Sequence, residues 1–329
     1  MSILASIVVP TYRRPDLLDR CLASLVAQTF DVDRYEIIVA DDADDPGTAA
    51  QVERWRARTG NRPAIAYVPV RGTHGPAAAR NAGWRIARGD VVAFTDDDTL
   101  PCPDWLAQGM AAVGPDATSA VAAATGRVHV PLEGEHPSDY ELDASRLAAS
   151  EFVTANCFVR RDALRAIGGF DTRFTAAWRE DSDLHFSLLE AQGRIVRAPG
   201  AVVVHPVRPA RFGVALRQQR KILFDALLYK KHRRLYRERI RATPRWDYYA
   251  IVLSLAIAIV AAFRPATQIA LASFSVWLLL TAHFVGQRLR YTSRAPLHVA
   301  EVVVTSVLIP PLAVFWRFVG AWRFRVLFV

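Results

Sequence analysis

The chain has 329 residues, 52% of them hydrophobic and 22% charged, with a formal net charge of +9; this is enough for one catalytic domain with a proper core plus an appendage. Its positive charge crowds into residues 208–245 with no groove-reading module beside it, which excludes nucleic acid as the partner. Its three cysteines, Cys21, Cys102 and Cys157, lack paired or metal-type spacing, which excludes a disulfide framework, fits a reducing compartment and leaves each as a small core residue.

From Ile3 to about Val204 short apolar strands alternate with amphipathic helices, the pattern of an α/β sheet with largely parallel strands. Ile3 to Val9 reads as the first strand, closed by Pro10-Thr11-Tyr12, and a helix follows from about Pro15 to Thr29 with Leu18, Leu22 and Leu25 on one face. No basic leader precedes that strand, so no cleavable signal is expected. Glu36 to Ala40 is the second strand, ending in Asp41-Asp42. A helix around Ala49 to Arg58 leads to a third strand, Ala64 to Val68, and the loop Arg71-Gly72-Thr73-His74-Gly75-Pro76 opens a helix that carries Arg80 and Asn81.

The run Val91-Val92-Ala93-Phe94-Thr95 then ends in Asp96-Asp97-Asp98. Acidic side chains at the carboxyl end of a strand buried on both faces sit where open α/β sheets bind ligands. Hard oxygen ligands of this kind select Mg²⁺ or Mn²⁺, ions that bridge to nucleotide phosphates; a solvated acidic turn has the same local pattern. Further on, Gly168-Gly169 marks a tight turn before Phe170. Glu180-Asp181 opens a helix running to Gln192, where capping and first-turn charge account for the carboxylates as well as catalysis does. His205 follows the strand Ala201 to Val204 and is a candidate ligand for the metal or the diphosphate.

The basic segment 208–245 places Phe212, Leu216, Leu223 and Leu227 on one helical face, the pattern of an interfacial helix that meets anionic headgroups; an ordinary surface helix with solvated arginines shares it. Tyr248 to Phe263 and Thr267 to Val285 are nearly uncharged and close to bilayer-spanning length. A third apolar stretch after Ala295 is broken by Pro310-Pro311, and either crosses or dips in and back. With the α/β domain cytoplasmic, Arg288, Arg290 and Arg294 return to the cytoplasm, and a dip keeps Arg317, Arg323 and Arg325 there too.

In order along the chain, Ile7-Val8-Val9-Pro10-Thr11-Tyr12, Asp41-Asp42, Gly75 through Asn81-Ala82-Gly83, Thr95-Asp96-Asp97-Asp98, Gly168-Gly169-Phe170-Asp171 and Glu180-Asp181-Ser182-Asp183-Leu184 resemble the family 2 glycosyltransferases over about the first two-thirds of the chain. The resemblance implies a GT-A fold in residues 1–207, a nucleotide-diphosphate sugar donor, a divalent metal (Mg²⁺ or Mn²⁺) and inversion at the anomeric carbon. It leaves residues 208–246 as basic interfacial helices and 247–329 as a membrane domain.

Carried over residue by residue, it implies that Pro10, Thr11, Tyr12, Asp42, Arg80, Asn81, Asp96 and Asp97 bind the donor. It makes Asp98, with His205, the metal ligand and Asp181 the catalytic base, and places Gly169, Phe170 and Glu180 near the acceptor. Three aspartates in a row leave the metal-binding register open. Gln218-Gln219-Arg220 lacks the tryptophan of the polymerising relatives' Gln-x-x-Arg-Trp element, which speaks against processive synthesis. The expected enzyme is a multi-pass protein of the inner (plasma) membrane that adds one sugar, from a UDP-sugar donor, to a polyprenyl-linked or other membrane-associated acceptor in cell-surface polysaccharide assembly. Transfer onto polyprenyl phosphate is the alternative within the class. A sugar nucleotidyltransferase lacks its triphosphate loop near the N-terminus, and a noncatalytic membrane scaffold has no reason to keep Asp98 and Asp181 together.

Overall fold

The computed structural model describes residues 2–114, 121–132, 134 and 136–328. The chain forms two compact units, Met1–Pro131 with Ser145–Val207 and Leu132–Ala144 with Arg208–Val329. Elements of the first unit are β1 (Ala5–Thr11), α1 (Pro15–Val26), β2 (Tyr35–Asp41), α2 (Pro46–Thr59), β3 (Ala64–Pro69), α3 (Pro76–Ile86), β4 (Val91–Phe94), β5 (Leu100–Pro101), α4 (Trp105–Val113) and β6 (Val121–His129). After α5 (Asp139–Ser145), which lies almost wholly in the second unit, come β7 (Cys157–Arg160), α6 (Arg161–Ile167), α7 (Glu180–Glu190) and β8 (Arg194–Val204).

The strands make one eight-stranded sheet in the order β3-β2-β1-β4-β7-β6-β8-β5. Strands β1 to β4 pair in parallel, as strand–helix–strand units require. The β-branched runs of β1, β2 and β4 are buried on both faces, with β2 buried at every position, while β3 at the sheet edge is half-buried. The sequence suggests largely parallel strands to residue 204, and β6 and β8 also pair in parallel; β7 is antiparallel to β4 and β6, and β5 to β8, so the sheet is mixed. The reason is the connection, since β7 follows a long excursion rather than a crossover helix.

Helix α1 buries Leu18, Cys21, Leu22 and Leu25 at spacings of three and four. Helix α2 starts where Asp45 Oδ2 accepts from the Thr48 N–H and stops at left-handed Gly60. Because β1, β2 and β4 are parallel neighbours, their carboxyl ends deliver Thr11, Asp41-Asp42 and Asp96-Asp97-Asp98 to one edge.

The second unit holds α5, α8 (Val214–Gln218), α9 (Leu223–Lys231), α10 (Arg233–Arg239), α11 (Trp246–Ala262), α12 (Thr267–Leu289) and α13 (Pro296–Arg323). The one helical face expected over Phe212, Leu216, Leu223 and Leu227 is divided, with a 3-10 turn at Gln219–Ile222 and a break at His232. Leu223 and Leu227 are buried, but Phe212 precedes the first helix and is exposed. Helices α11 and α12 form an antiparallel hairpin whose apolar side chains, Leu253, Val260, Leu271, Phe274 and Leu279 among them, face outward. An apolar face of that extent marks a membrane or partner surface rather than a water-facing one. Helices α12 and α13 are long and apolar enough to cross a membrane, whereas α11 has 17 residues.

The break expected at Pro310-Pro311 does not occur, for both prolines lie inside α13. Each removes one backbone donor, but they are consecutive, so one turn is weakened and packing carries the helix through. Tyr249, in the first turn of α11, meets the Phe318 ring at 6.3 Å. Arg288, in the last turn of α12, donates to Val302 O at 3.2 Å and to Thr305 Oγ1 and Ser306 Oγ, both at 2.8 Å. Those two turns occupy the same end of the hairpin, where Tyr248 also meets Phe284 at 5.4 Å. Val302 and Phe318 are about 24 Å apart along a helix axis, so α13 lies across the end of the hairpin instead of beside it. Its other side packs on α9, closely enough that a Cβ on Gly320 would meet Leu223 O at 2.5 Å.

Candidate active site

The acidic tip resolves into two directions. Asp97 turns inward, accepting from Thr11 Oγ1 at 2.8 Å and Arg14 Nη1 at 3.1 Å. It joins the ends of β1 and β4, and burial pushes its carboxyl up to about 6 against the pull of Arg14. Asp98, whose Oδ2 is also 3.9 Å from Arg14 Nη1, and Asp96 gather instead with His205. Strand β5 begins two residues beyond Asp98 and pairs Leu100 with Val204, so the residue after β8 arrives beside the tip. That residue is His205, whose Nε2 lies 3.5 Å from Asp98 Oδ1. One ligand atom each from Asp96, Asp98 and His205 falls within 4.8 Å of the others. Two carboxylates and an imidazole at this spacing fit a hard to borderline divalent cation that keeps open positions for phosphate oxygens and water.

Arg80 ties this tip to the start of α7. Its side chain is 3% exposed, donates from Nη2 to Asp96 Oδ1 at 2.7 Å and from Nη1 to Glu180 Oε1 at 3.2 Å, and stands over the Phe170 ring at 5.8 Å. Burial opposes its charge, but Asp96 and Glu180 together raise its pKa. Its Nε and Glu180 Oε2 are buried with no hydrogen-bond partner among the described residues. Burial and then Asp181 push Glu180 up to about 7. Asp181 is also raised, by burial, although its Oδ1 accepts from the Ser182 N–H at 2.6 Å. These two adjacent carboxyls therefore resist ionising together. Arg179 just before them has φ 74°, a left-handed backbone uncommon for a residue with a side chain.

The remaining candidates separate into those that open to solvent and those spent on structure. Tyr12 is 51% exposed with Arg13 over its ring at 5.5 Å, and Pro10 is half-buried beside it. Asp42 accepts the Gly75 N–H through both oxygens, at 3.0 and 2.9 Å, and lies 3.2 Å from His74 Nδ1, so it anchors the loop that opens α3.

Asn81, expected on the donor, faces inward instead. Its Nδ2 donates to Phe170 O at 2.8 Å, while its Oδ1 accepts from the Phe170 N–H at 3.0 Å and Trp84 Nε1 at 2.7 Å. Asn81 thus pins the Gly168-Gly169 turn, in which both glycines have positive φ and a Cβ on Gly169 would meet Asn81 Oδ1 at 2.6 Å. Phe170 is buried against Phe94, ring centres 5.2 Å apart, so it supports Arg80 from below rather than facing an acceptor.

A family model described as glycosyl transferase family group 2 matches residues 91–319, and one described as glycosyl transferase family 2 matches residues 6–168. The chain belongs to glycosyltransferase family 2. Among its relatives, glycosyltransferase AglE of Haloferax volcanii is 25% identical over 227 residues, 66% of this chain and 71% of that protein. The succinoglycan biosynthesis protein ExoM of Rhizobium meliloti is 30% identical over 227 residues, 65% of this chain and 70% of that protein. A solved structure, the mannosyltransferase PcManGT from Pyrobaculum calidifontis in complex with GDP-Man and Mn²⁺, superposes with a TM-score of 0.62 at 21% identity, covering 98% of this chain and 88% of that one. The catalytic unit therefore has the GT-A fold expected from its motifs.

Sequence reasoning passed over Arg14, which reaches Asp97 and stands 3.9 Å from Asp98, and His74 beside Asp42. The available signal was position alone, since each sits just past a strand end or a glycine at the ligand edge. Cys21, with Sγ 3.4 Å from Asp96 O, is fully buried and its pKa is raised by burial and by the three aspartates, which leaves it a core thiol.

Proposed function

We propose that this family 2 enzyme is an inverting glycosyltransferase that moves one sugar from a nucleotide-diphosphate donor, a UDP-sugar in the first instance, to a polyprenyl-linked glycan at the membrane surface in cell-surface polysaccharide assembly. The observation that carries it is the unbroken line Asp98, Asp96, Arg80, Glu180, Asp181. A cation seat and a candidate base sit at opposite ends of one buried guanidinium. The neighbour's GDP-Man and Mn²⁺ support a nucleotide-sugar donor and a divalent ion for this chain as well.

Asp96, Asp98 and His205 are the residues that would hold Mg²⁺ or Mn²⁺, which when bound neutralises charge on the departing diphosphate. Asp181 accepts the proton of the attacking acceptor hydroxyl, from the side of the sugar opposite the leaving group, which gives inversion. Its raised pKa suits a base that must receive a proton near neutral pH. Glu180, with Oε1 taken by Arg80, has Oε2 left to hydrogen-bond an acceptor hydroxyl. Tyr12, Pro10 and Asp42 line the edge that receives the nucleotide base. The outward-facing apolar hairpin and the basic helices before it support a position at the cytoplasmic face of the plasma membrane, where a lipid-linked acceptor presents its reactive end.

The test is full-length protein in detergent with Mn²⁺, a panel of UDP- and GDP-sugars, and polyprenyl-diphosphate-linked glycan or polyprenyl phosphate as acceptor. Sugar transfer to a lipid-linked acceptor, with release of the nucleoside diphosphate, is the expected result. Turnover confined to a water-soluble protein acceptor overturns the membrane-acceptor reading. Neither hydrolysis nor transfer of any donor overturns the donor assignment.

A further inference from the structure

Near the end of α13 the second unit contains a cation with no counterion among the described residues. Arg317 is 7% exposed, yet it has neither a carboxylate nor a hydrogen-bond acceptor among the described residues, only the Phe328 ring at 4.5 Å. A guanidinium removed from water at this depth is costly unless something anionic satisfies it. Next to it, the phenol oxygen of Tyr249 is buried and unpartnered. The Tyr249 ring against Phe318, at 6.3 Å, fixes the first turn of α11 beside Arg317.

Two further arginines converge on this corner. Arg245 precedes α11 and lies over the Tyr248 ring at 3.7 Å, its charge already matched by Asp247 at 2.5 Å. Arg241, exposed and four residues earlier, has its pKa lowered by burial and then by the charges of Arg245 and Arg317. Among the described residues, three guanidinium groups and a phenol thus meet one carboxylate, Asp247, which Arg245 already uses. The corner sits where α13 passes over the end of the apolar hairpin, and Trp246 at 63% exposure and Trp322 at 83% flank it with the amphipathic rings that favour a bilayer surface.

We propose that Arg317, Arg241 and Tyr249 form a binding site for the phosphate ester of an anionic lipid headgroup, with Arg245 at its rim. Guanidinium forks match phosphate oxygens in geometry as well as charge, and the buried phenol supplies a further donor. The site rests on the reading that the hairpin is membrane-embedded. Its function is to seat α13 on the headgroup layer.

The experiment uses the full chain in nanodiscs of phosphatidylcholine with or without phosphatidylglycerol, and native mass spectrometry of protein released from them. Wild type is expected to retain phosphatidylglycerol, and Arg241→Gln and Arg317→Leu each to reduce retention about fivefold, as one interfacial arginine is worth about 1 kcal/mol. Arg241 is exposed, so its variant keeps the test decisive if Arg317→Leu fails to fold. Inorganic phosphate at millimolar concentration, added to detergent-solubilised protein, separates the two sources of the same group. A thermal shift matching that of phosphatidylglycerol, abolished in Arg241→Gln, assigns the site to free phosphate and overturns the lipid assignment. Equal phosphatidylglycerol retention in wild type and both variants overturns the site itself. Failure of the wild type to enter nanodiscs at all overturns the membrane reading beneath it.

Discussion

Arg80 Nη2 lies 2.7 Å from Asp96 Oδ1 while its Nη1 lies 3.2 Å from Glu180 Oε1, so one guanidinium buried to 3% exposure positions both halves of the site. Removing it leaves two carboxylates desolvated without a partner, a situation that costs about 3–5 kcal/mol. Arg80→Gln should lower the Tm steeply and abolish transfer. Arg80→Lys keeps the charge but not the fork, so it should fold closer to wild type while losing most of its kcat. The two variants compared by calorimetry and donor turnover check this, and a fully active Arg80→Gln would show the bridge to be dispensable.

The acidic pair at the start of α7 sets the pH response. Asp181 is raised by burial, so the ionised base becomes available only above the ordinary aspartate range, and kcat/KM should climb with pH along a limb displaced upward. Asp181→Asn should lose about 10²–10⁴-fold in kcat with little change in donor KM. Stability runs in the opposite sense. Glu180 is raised to about 7, so its neutral form is favoured in the fold, and that contribution, present at low pH, is lost as pH rises through 7. Glu180→Gln mimics the neutral form, and its Tm should therefore gain on wild type between pH 5 and pH 8.

The three consecutive aspartates are expected to be functionally unequal. Asp98→Asn removes a cation ligand and should weaken Mn²⁺ binding, followed by electron paramagnetic resonance, by more than about 100-fold. Asp97→Asn should leave Mn²⁺ affinity close to wild type, because Asp97 faces Thr11 and Arg14, and should instead cost about 1–3 kcal/mol of stability. Chelation by EDTA should halt wild-type turnover and Mn²⁺ restore it. The reverse ranking of the two variants would assign the opposite register.

The part of this arrangement written in the sequence is the part set by local pattern. Apolar runs such as Val91–Phe94 specify strands buried on both faces, and acidic residues at their ends identify the ligand edge before any coordinates are known. Side-chain direction is a different matter. Asp97 and Asp98 are neighbours that share Arg14 Nη1, at 3.1 and 3.9 Å, and Asp98 also reaches His205 while Asp97 turns to Thr11, a division that period-two reasoning cannot supply once the strand has stopped. Asn81 was equally opaque, because its partners at Phe170 are 89 residues away and are backbone atoms with no residue-type signature. The antiparallel β7 was hidden for the same reason, since nothing local in Cys157–Arg160 distinguishes it from a parallel strand.

The turn that Asn81 pins should be intolerant of a side chain. Gly169 has φ 77° and a Cβ there would approach Asn81 Oδ1 at 2.6 Å and Trp84 Nε1 at 2.7 Å, both interior atoms. Gly169→Ala should cost more than about 2 kcal/mol, combining left-handed strain with displacement of a buried hydrogen-bond network. Gly168 also has positive φ but its Cβ would meet nothing within 4 Å, so Gly168→Ala should carry only the backbone cost of about 1 kcal/mol. Urea denaturation of the pair separates crowding from conformation.

Helix α13 offers a prediction of topology. A 28-residue apolar helix would ordinarily be counted as a span, and a third crossing would put the C-terminus on the side opposite the catalytic unit. Its contacts with Tyr249 and Arg288, both at one end of the α11–α12 hairpin, place it across that end instead. Val303, Val304, Leu308, Phe315 and Trp322 then face outward together as an apolar surface suited to the lipid interface. Single cysteines introduced at the exposed positions Arg58 and Trp322, in a background lacking Cys102, should both react with a membrane-impermeant maleimide in inside-out vesicles. Neither should react in right-side-out vesicles. Labelling of Trp322→Cys only from the other side would establish a true crossing.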